Sequence, residues 1–378
     1  MSLLLFIYPL RSASPLCYRY AETARRLHNE KVDVRLLTVG KDLPLPSILE
    51  NLPHQHISSN DLGNKHLRSL ELQYRIWQYL MAIPKDGLSV FMNGLDFPLV
   101  FWACRKLDLP LIAQYPMERS HSVLYRKMIG WLGKSPKTAL LYESQAYASS
   151  YRIRGFVQHI IPMPLSPSFL KAAQQHREMS QPKGNSWFSV IIGCREASAK
   201  TLKAISSIAD QCEQIRLQCW FFSKEDLHKG SRFLESKANV SCVRPKENVS
   251  LYRTAKLYIE VEEPKAKPSE GHRLRHIREA MEFGLPVLLM RGCFGTEWIS
   301  PGVNGYILES DQVVEMANKI RLLAHSNLLY DRLSNNASKM AQQWHPPKVC
   351  KALSDLLLAG KRKCTYISGL RQPTQHTT

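Results

Sequence analysis

A segment that combines acidic, basic and glycine residues lies at residues 269–308. Glu270 and Gly271 stand where a strand is expected to end, and a helix with several basic side chains and a second carboxylate, Glu279, follows them. Carboxylates accept hydrogen bonds from sugar hydroxyls, whereas arginines, lysines and helix N-termini bind phosphate oxygens. The segment therefore suits a ligand that has both hydroxyls and phosphates, such as a nucleotide sugar.

The elements around this segment indicate an α/β protein. Apolar runs of strand length alternate with helical patterns, which is typical of βαβ units and a doubly wound parallel sheet. Strands are predicted at 3–8, 32–38, 89–92, 109–113, 139–142, 189–192, 215–222, 257–261 and 286–290, and helices at 18–28, 97–107, 199–211 and within 270–283. Ligands of such sheets bind outside the carboxyl ends of the strands, so two units would enclose a cleft between these ends.

The rhythm of strands and helices is interrupted once, by a polar segment at 174–186 that reads as a linker. We therefore predict an N-terminal Rossmann-like domain at 1–173 and a C-terminal Rossmann-like domain at 187–345. A helix and a basic tail are predicted at 346–378.

The charge of the chain favours a polyanionic partner. The 378 residues carry a formal net charge of +19 at pH 7. Such an excess suits nucleic acid, an anionic membrane surface or phosphorylated substrates. Nucleic acid is the least favoured of these, because no helix-turn-helix, zinc or RNA-binding motif accompanies the charge. No apolar run reaches the roughly 18 residues expected of a transmembrane helix.

Four short motifs follow one another in the second half of the chain. They are Gly193-Cys194-Arg195 with Lys200, Leu251-Tyr252-Arg253-Thr254-Ala255, Glu270-Gly271 with Glu279-Ala280-Met281 and Gly284-Leu285-Pro286-Val287, and Gly295-Thr296-Glu297 with Gly302-Val303-Asn304-Gly305. In residue types and order, they resemble the retaining glycosyltransferases of family 4 (glycosyl transferases group 1), which have the GT-B fold. The resemblance covers roughly residues 187–347, and residues 1–170 share only topology with the family. It implies two Rossmann-like parallel-sheet domains that face a central cleft, with C-terminal helices.

The resemblance also implies roles for individual residues. Arg195 and Lys200 would contact the diphosphate of the donor, where cations stabilise the charge that grows on the leaving group. Glu279 would bind the ribose hydroxyls, and Glu270 the donor sugar, so that catalytic roles fall to Glu270, Arg195 and Lys200. The two glutamates are one residue further apart than the family's pair, which puts the role of Glu270 in question.

Further residues of the same region have two interpretations each. Gly271 would allow close approach of the backbone to the donor. Arg273 or Arg275 could add to the cations at the diphosphate, but Arg275 also stands four residues before Glu279 and could form an ion pair with it. Glu297 matches a family position near the cleft and could equally cap a local turn.

A metal is not expected. Glu260 and Glu262 would share one face of a strand, as metal ligands can. The GT-B resemblance argues against that interpretation, because the fold handles the leaving group with protein cations, and no Asp-x-Asp motif occurs. We expect no metal and no cofactor, and a UDP- or GDP-linked sugar as a substrate.

A catalytic base is harder to predict. A retaining enzyme, which the resemblance favours, has no clearly placed base. An inverting enzyme would need a carboxylate or histidine in the N-terminal unit. The candidates there are Asp96, Glu118, His121 and Glu143.

Residues 121–137 form a basic segment with an apolar side. Its apolar residues are Leu124, Met128, Ile129, Trp131 and Leu132, and its basic residues are Arg126, Lys127, Lys134 and Lys137. Such a segment can lie on an anionic membrane surface. The alternative is an ordinary helix whose apolar side packs on the sheet.

Together these patterns predict a cytoplasmic glycosyltransferase, peripheral on the inner face of the membrane. It would move a sugar from a nucleotide sugar to a hydroxyl of a cell-surface glycan or a lipid-linked acceptor, as in polysaccharide biosynthesis of the cell envelope. Two alternatives remain. One is a catalytically inactive, glycosyltransferase-like protein that binds nucleotide sugars, because residues 11–14 lack the family's glycine-rich loop. The other is a basic nucleic-acid-binding protein.

Overall fold

The computed structural model describes residues 3–10, 23–40, 52–58, 65–115, 122–179, 187–194, 196–244, 249–261, 271–309 and 312–359. The strands of the N-terminal unit are β1 (Leu3–Leu10), β2 (Asp33–Gly40), β3 (His54–Ser58), β4 (Ser89–Asn93), β5 (Leu111–Gln114), β6 (Thr138–Tyr142) and β7 (Val157–Ile160). Its helices are α1 (described over 23–29), α2 (Lys65–Ala82), α3 (Pro98–Lys106), α4 (Val123–Leu132) and α5 (Gln145–Ser150). A seven-stranded sheet results, with the order β3-β2-β1-β4-β5-β6-β7 and parallel pairings.

A helix, α6 (Pro167–Met179), leads to the C-terminal unit. The strands of this unit are β8 (Ser189–Cys194), β9 (Arg216–Phe221), β10 (Val240–Val243), β11 (Leu257–Glu260), β12 (Val287–Met290) and β13 (Gly305–Leu308). Its helices are α7 (Ala199–Gln211), α8 (Lys224–Phe233), α9 (Val249–Thr254), α10 (Gly271–Glu282), α11 (Val313–His325) and α12 (Asn327–Ala341). The six strands form a parallel sheet in the order β10-β9-β8-β11-β12-β13, and a last helix, α13 (Pro346–Ala359), follows.

The predicted α/β class with two doubly wound parallel sheets is confirmed. Central strands such as β6 and β8 are buried along their whole length. Strands that are covered by helices on both faces need apolar side chains on both faces, so they read as continuous apolar runs in the sequence. For this reason the sequence reveals the centre of each sheet.

Four strands lack a counterpart in the sequence-based prediction, namely β3, β7, β10 and β13. These are the strands at the edges of the two sheets. Three of them are largely half-buried or exposed along their length. Polar residues are tolerated at such positions, so no apolar run marks them in the sequence.

The chain passes between the units twice. On the way out, Phe169 of α6 stacks edge-on against Tyr252 and Phe283 of the C-terminal unit, with ring centroids 5.7 and 5.2 Å apart. On the way back, Leu353 and Leu356 of α13 join a buried cluster with residues of β1 and β2. The C-terminal helix is therefore part of the core under the N-terminal sheet.

In the polar segment 174–186, α6 continues through the first residues to Met179. Ala173 is fully buried, and the helix turns its polar side outward. The many glutamine, histidine and charged residues of this stretch belong to an amphipathic helix rather than to irregular chain. Residues 180–186 lie outside the described ranges.

Candidate functional site

The candidate donor site lies at the carboxyl edge of the C-terminal sheet, where the strand order reverses between β8 and β11. Such a switch point bounds the crevice that holds the ligand in open α/β sheets. Gly193 of β8 and Glu260 of β11 are partners in the parallel register at this edge. The chain continues from β8 to α7 and from β11 to α10, so both helices begin near this edge.

A buried carboxylate explains the glycine at the end of β8. Glu260 is 1% exposed, and the Tyr258 hydroxyl donates a hydrogen bond to its Oε1 at 2.5 Å. A Cβ at position 193 would lie 2.7 Å from Glu260 Oε1 and 2.7 Å from the Tyr258 hydroxyl oxygen. The second glutamate of the metal alternative, Glu262, lies outside the described residues. Within the described ranges, no group of three or more His, Cys, Asp or Glu side chains could hold a metal ion.

The first turn of α7 supplies one predicted cation. The Ser198 Oγ accepts a hydrogen bond from the Thr201 amide at 3.1 Å, which caps this helix. Lys200 follows the cap and is exposed. The positive end of the helix dipole and the amine both attract anions at this position. Arg195, the other predicted diphosphate ligand, lies outside the described residues.

Glu279 on α10 is held in one orientation. Its side chain is almost completely buried. The Arg275 Nε donates to Glu279 Oε1 at 2.6 Å, and the Tyr252 hydroxyl donates to Glu279 Oε2 at 3.0 Å. His276 Nδ1 also lies 3.3 Å from Glu279 Oε2, so groups of both α9 and α10 surround the carboxylate.

Tyr252 and His276 complete the network, and the sequence-based prediction did not include them. The Tyr252 hydroxyl oxygen lies 2.8 Å from His276 Nδ1. Because the single hydroxyl hydrogen of Tyr252 points to Glu279, we assign the hydrogen of this second contact to His276 Nδ1. Burial, together with the nearby Glu279 carboxylate, raises the pKa of Tyr252, so this hydroxyl stays protonated and remains a donor. The available signal was the tyrosine of the 251–255 motif, just before a buried strand.

The structure contains the ion pair that is one of the two interpretations of Arg275. Arg275 forms the ion pair with Glu279, and the two side chains are only 13% and 4% exposed. The pair is thus partly buried rather than on the surface. Arg275 therefore orients the carboxylate that is predicted to bind ribose.

Arg278 is fully buried, whereas Arg275 on the same helix is 13% exposed. Its Nη2 donates to Oε2 of Glu143, which follows β6, at 2.9 Å, and both side chains are 0% exposed. Its Nη1 donates to the Met163 carbonyl oxygen at 2.5 Å. One of the candidate bases, Glu143, is therefore engaged in an ion pair between the two units.

The side chain of Glu297 accepts a hydrogen bond within its own turn. The Gly295 amide donates to Glu297 Oε2 at 3.1 Å, which matches the local-cap interpretation. In the adjacent turn, Asn304 is 3% exposed, accepts from the Ser300 amide at 2.8 Å and donates to the Trp298 carbonyl oxygen at 2.9 Å. The Gly302-Val303-Asn304-Gly305 motif is therefore a structural turn in this chain.

Of the other residues predicted in the N-terminal unit, the structure describes only Asp96. Asp96 is half-buried in the loop after β4, and the Tyr125 hydroxyl fastens this loop to α4 through the Leu95 carbonyl oxygen at 2.7 Å. Glu118 and His121 lie outside the described residues.

Around the start of α10, the structure describes only part of the predicted site. Glu270 lies outside the described residues, Gly271 is the first residue of the helix, and the side chain of Arg273 is not among those described. The roles predicted for these three residues therefore remain predictions.

Comparison with known proteins finds a family model that matches part of this region and solved structures that share the fold. Residues 275–340 match the family model for glycosyl transferases group 1. This match contains Arg275, Arg278, Glu279 and the turn at 302–305. No curated protein sequence matches the chain significantly.

Solved structures resemble nearly the whole chain. A glycosyltransferase from Rickettsia africae has 12% identity and a TM-score of 0.67, with 96% of this chain and 99% of that chain covered. HepE of Anabaena, solved with UDP and glucose, has 15% identity and a TM-score of 0.66, with 94% and 99% covered. The lipopolysaccharide outer core galactosyltransferase WaaB has 12% identity and a TM-score of 0.65, with 95% and 99% covered. The comparisons support a glycosyl transfer function and confirm the resemblance predicted from the sequence: the chain has the GT-B fold of these glycosyltransferases, and its residues 275–340 match the family model for glycosyl transferases group 1.

Proposed function

We propose that this protein transfers a sugar from a nucleoside-diphosphate sugar, linked to UDP or GDP, to a hydroxyl of a glycan or a lipid-linked acceptor. The observation that carries the proposal is the oriented, buried carboxylate of Glu279. It lies in the segment that matches glycosyl transferases group 1 and on the helix that begins near the carboxyl edge of the sheet. HepE, a structural neighbour, was solved with UDP and glucose.

In the proposed reaction, the leaving group is the nucleoside diphosphate. Negative charge grows on its phosphate oxygens as the bond to the sugar breaks, so groups that meet this charge lower the barrier. Arg195 can grip two oxygens with its planar guanidinium, and Lys200 adds a point charge at the N-terminus of α7. Glu279 holds the ribose, and no metal or cofactor takes part in this scheme.

We further propose that the reaction retains the configuration of the sugar, with Glu270 and the backbone at Gly271 at the donor sugar. The engagement of Glu143 with Arg278 supports this choice, because it removes one candidate for the base that inversion needs. Arg273 would supplement the cations at the diphosphate. Asp96, Glu118 and His121 would lie on the acceptor side.

The donor site can be tested by calorimetric titration with UDP and GDP. We expect one of these nucleotides to bind, and we expect Lys200→Ala and Arg195→Ala each to weaken binding about tenfold, since a charge-assisted contact to phosphate is lost. Lys203→Ala is the matched control, because Lys203 is an exposed lysine of the same helix. It should leave the affinity unchanged.

Two outcomes would count against parts of the proposal. Equal affinity of wild type and the Lys200 and Arg195 variants would remove these residues from the donor site. Binding of a UDP-sugar without turnover for any hydroxyl acceptor would favour the catalytically inactive alternative.

We also propose that the N-terminal unit meets its acceptor at an anionic membrane surface. On α4, Leu124 and Trp131 are 78% and 71% exposed, and Met128 between them is also exposed. Spacings of four and three residues place these three side chains on one side of the helix. Lys127 and Lys134 are exposed beside them. Exposed apolar side chains between lysines suit the boundary between lipid headgroups and acyl chains.

A second helix of the same unit also carries exposed apolar side chains. On α2, Leu67, Leu70 and Tyr74 are exposed, again three and four residues apart. Trp77 of α2 contacts Trp102 of α3, with ring centroids 6.5 Å apart, so α2 stands beside α3. In the described part of the chain, no helix is long and apolar enough to cross a membrane.

Membrane binding can be measured by sedimentation with vesicles of phosphatidylglycerol and phosphatidylcholine. We expect the double substitution Leu124→Glu and Trp131→Glu to reduce binding at least about tenfold, because it replaces the inserted groups by charges that anionic lipid repels. Leu328→Glu, at an 87% exposed leucine of α12, is the matched control. Equal binding of both variants would contradict this surface, and equal binding to pure phosphatidylcholine would contradict its electrostatic part.

A further inference from the structure

Among the described side chains of α10, Arg278 is the most completely buried charged one, and its contacts extend beyond the unit to which it belongs. Its Nε donates to the Leu274 carbonyl oxygen of its own helix at 3.1 Å. Its other nitrogens donate to Glu143 and Met163, which belong to the N-terminal unit and to the segment that leaves it. The guanidinium also lies 5.7 Å from the centre of the Trp298 ring. One side chain thus joins both units.

The partner carboxylate is equally buried. Glu143 follows β6 directly and stands before Ser144, whose Oγ caps α5 by accepting from the Tyr147 amide at 3.1 Å. Its Oε2 accepts from Arg278, whereas its Oε1 is buried and has no hydrogen-bond partner among the described residues. A buried carboxylate with one free oxygen depends strongly on its single ionic partner.

The position of Arg278 in the sequence links this pair to the donor site, because it directly precedes Glu279. The network that orients Glu279 consists of Tyr252, Arg275 and His276, all within the C-terminal unit. Neighbouring residues of one rigid helix therefore point to the donor and to the opposite unit.

The far end of α10 is also tied to both crossings of the chain. The Arg177 Nη1 of α6 donates to Glu282 Oε1 at 3.0 Å, and His345 Nε2, just before α13, lies 2.8 Å from Glu282 Oε2. The Leu165 amide donates to the Trp344 carbonyl oxygen at 3.4 Å, which joins the two crossing segments directly. With its end anchored at both crossings, α10 is the element through which the two units are aligned.

We propose that Glu143 and Arg278 are a positioning pair that holds the two units closed, with α10 and its donor-binding Glu279 set against the carboxyl edge of the N-terminal sheet. An effect of this pair on the rate of sugar transfer rests on the proposed function, whereas its effect on the closure of the two units does not. An unpaired charge at this interface is relieved when the units open and water enters, which requires less disruption than unfolding of either unit. Substitution of one partner alone should therefore open the protein. Substitution of both by an apolar pair of similar size should leave the two units closed.

The test compares Arg278→Met, Glu143→Leu and the double variant by small-angle X-ray scattering and hydrogen exchange. We expect each single variant to have a larger radius of gyration than wild type. Amides at 143–148 and 161–165 should exchange about tenfold faster, whereas those of β8 should not change. The double variant, which has an apolar pair of similar size, should return both readings to wild type. Arg291→Met, which breaks an exposed pair with Glu309, is the control and should change neither reading.

UDP titration of the same variants separates this pair from the donor site. Because the Glu279 network lies within the C-terminal unit, the affinity of the single variants for UDP should stay within about twofold of wild type. Single variants that keep the wild-type radius of gyration and exchange, and lose only thermal stability, would overturn the positioning role. If wild type fails to bind UDP but the single variants open, the proposed donor is wrong and the positioning pair stands.

Discussion

Replacement of Glu279 by glutamine is expected to weaken UDP binding about 10- to 100-fold, the loss expected for a hydrogen bond to a charged group. The amide has nearly the shape of the carboxylate, but it accepts through one atom only. It presents a donor group where Arg275 and the ribose hydroxyls require acceptors. Calorimetric titration of the folded variant with UDP measures the effect.

Glu225 provides a matched control for this experiment. It is also paired with a basic residue four positions away, Lys229, but its side chain is 78% exposed on α8. Glu225→Gln should bind UDP as wild type does. If Glu279→Gln is folded and keeps the wild-type affinity, Glu279 does not bind the ribose and serves only the packing of α10 against Tyr252.

Replacement of Gly305 by alanine is expected to destabilise the C-terminal unit by about 3 kcal/mol or more, since overpacking against fixed atoms has costs of this order. A Cβ at this position would lie 2.0 Å from the carbonyl oxygen of Val287 and 2.9 Å from its carbonyl carbon. Both atoms belong to the backbone of β12, with which β13 pairs at this residue. They cannot move without disrupting the sheet, and the midpoint of urea unfolding should fall accordingly.

Gly302, in the same turn, serves as the control. It has a φ of 73°, and a Cβ there would meet nothing within 4 Å. Gly302→Ala should therefore cost only the backbone strain, about 1–2 kcal/mol. Equal shifts for both variants would contradict a specific cost of the contact between a Cβ at position 305 and the backbone of β12.

The fold was predictable from the sequence at the centre of each sheet and not at its edges. Strands such as β6 and β8 are buried on both faces, and this double burial imposes apolar runs that can be read directly. The edge strand β7 is half-buried at every position, so its sequence does not have to follow either strand pattern. Similarly, the exposed side of α6 is polar, so its last residues have the composition of a linker and were predicted as one.

Within the site, the sequence predicted Glu279 and Lys200 by their positions in motifs, and helical spacing gave the Arg275–Glu279 ion pair as one of two interpretations of Arg275. Tyr252 and His276 were missed as functional residues. Tyr252 is 27 positions from Glu279 in the chain. It reaches the carboxylate only because the folded chain brings α9 to α10.

By itself, the sequence determined what depends on neighbours along the chain: the apolar strands, the Arg275–Glu279 spacing on one helix, and the order of the motifs. Only the tertiary structure decided the separate roles of the basic residues on α10. Arg275 orients Glu279, whereas Arg278 meets Glu143, which lies 135 positions away and in the other unit. The physical reason is that charge and helical spacing are local properties. The cost of burying a guanidinium, by contrast, is met only where the folded chain brings a carboxylate and carbonyl oxygens to it.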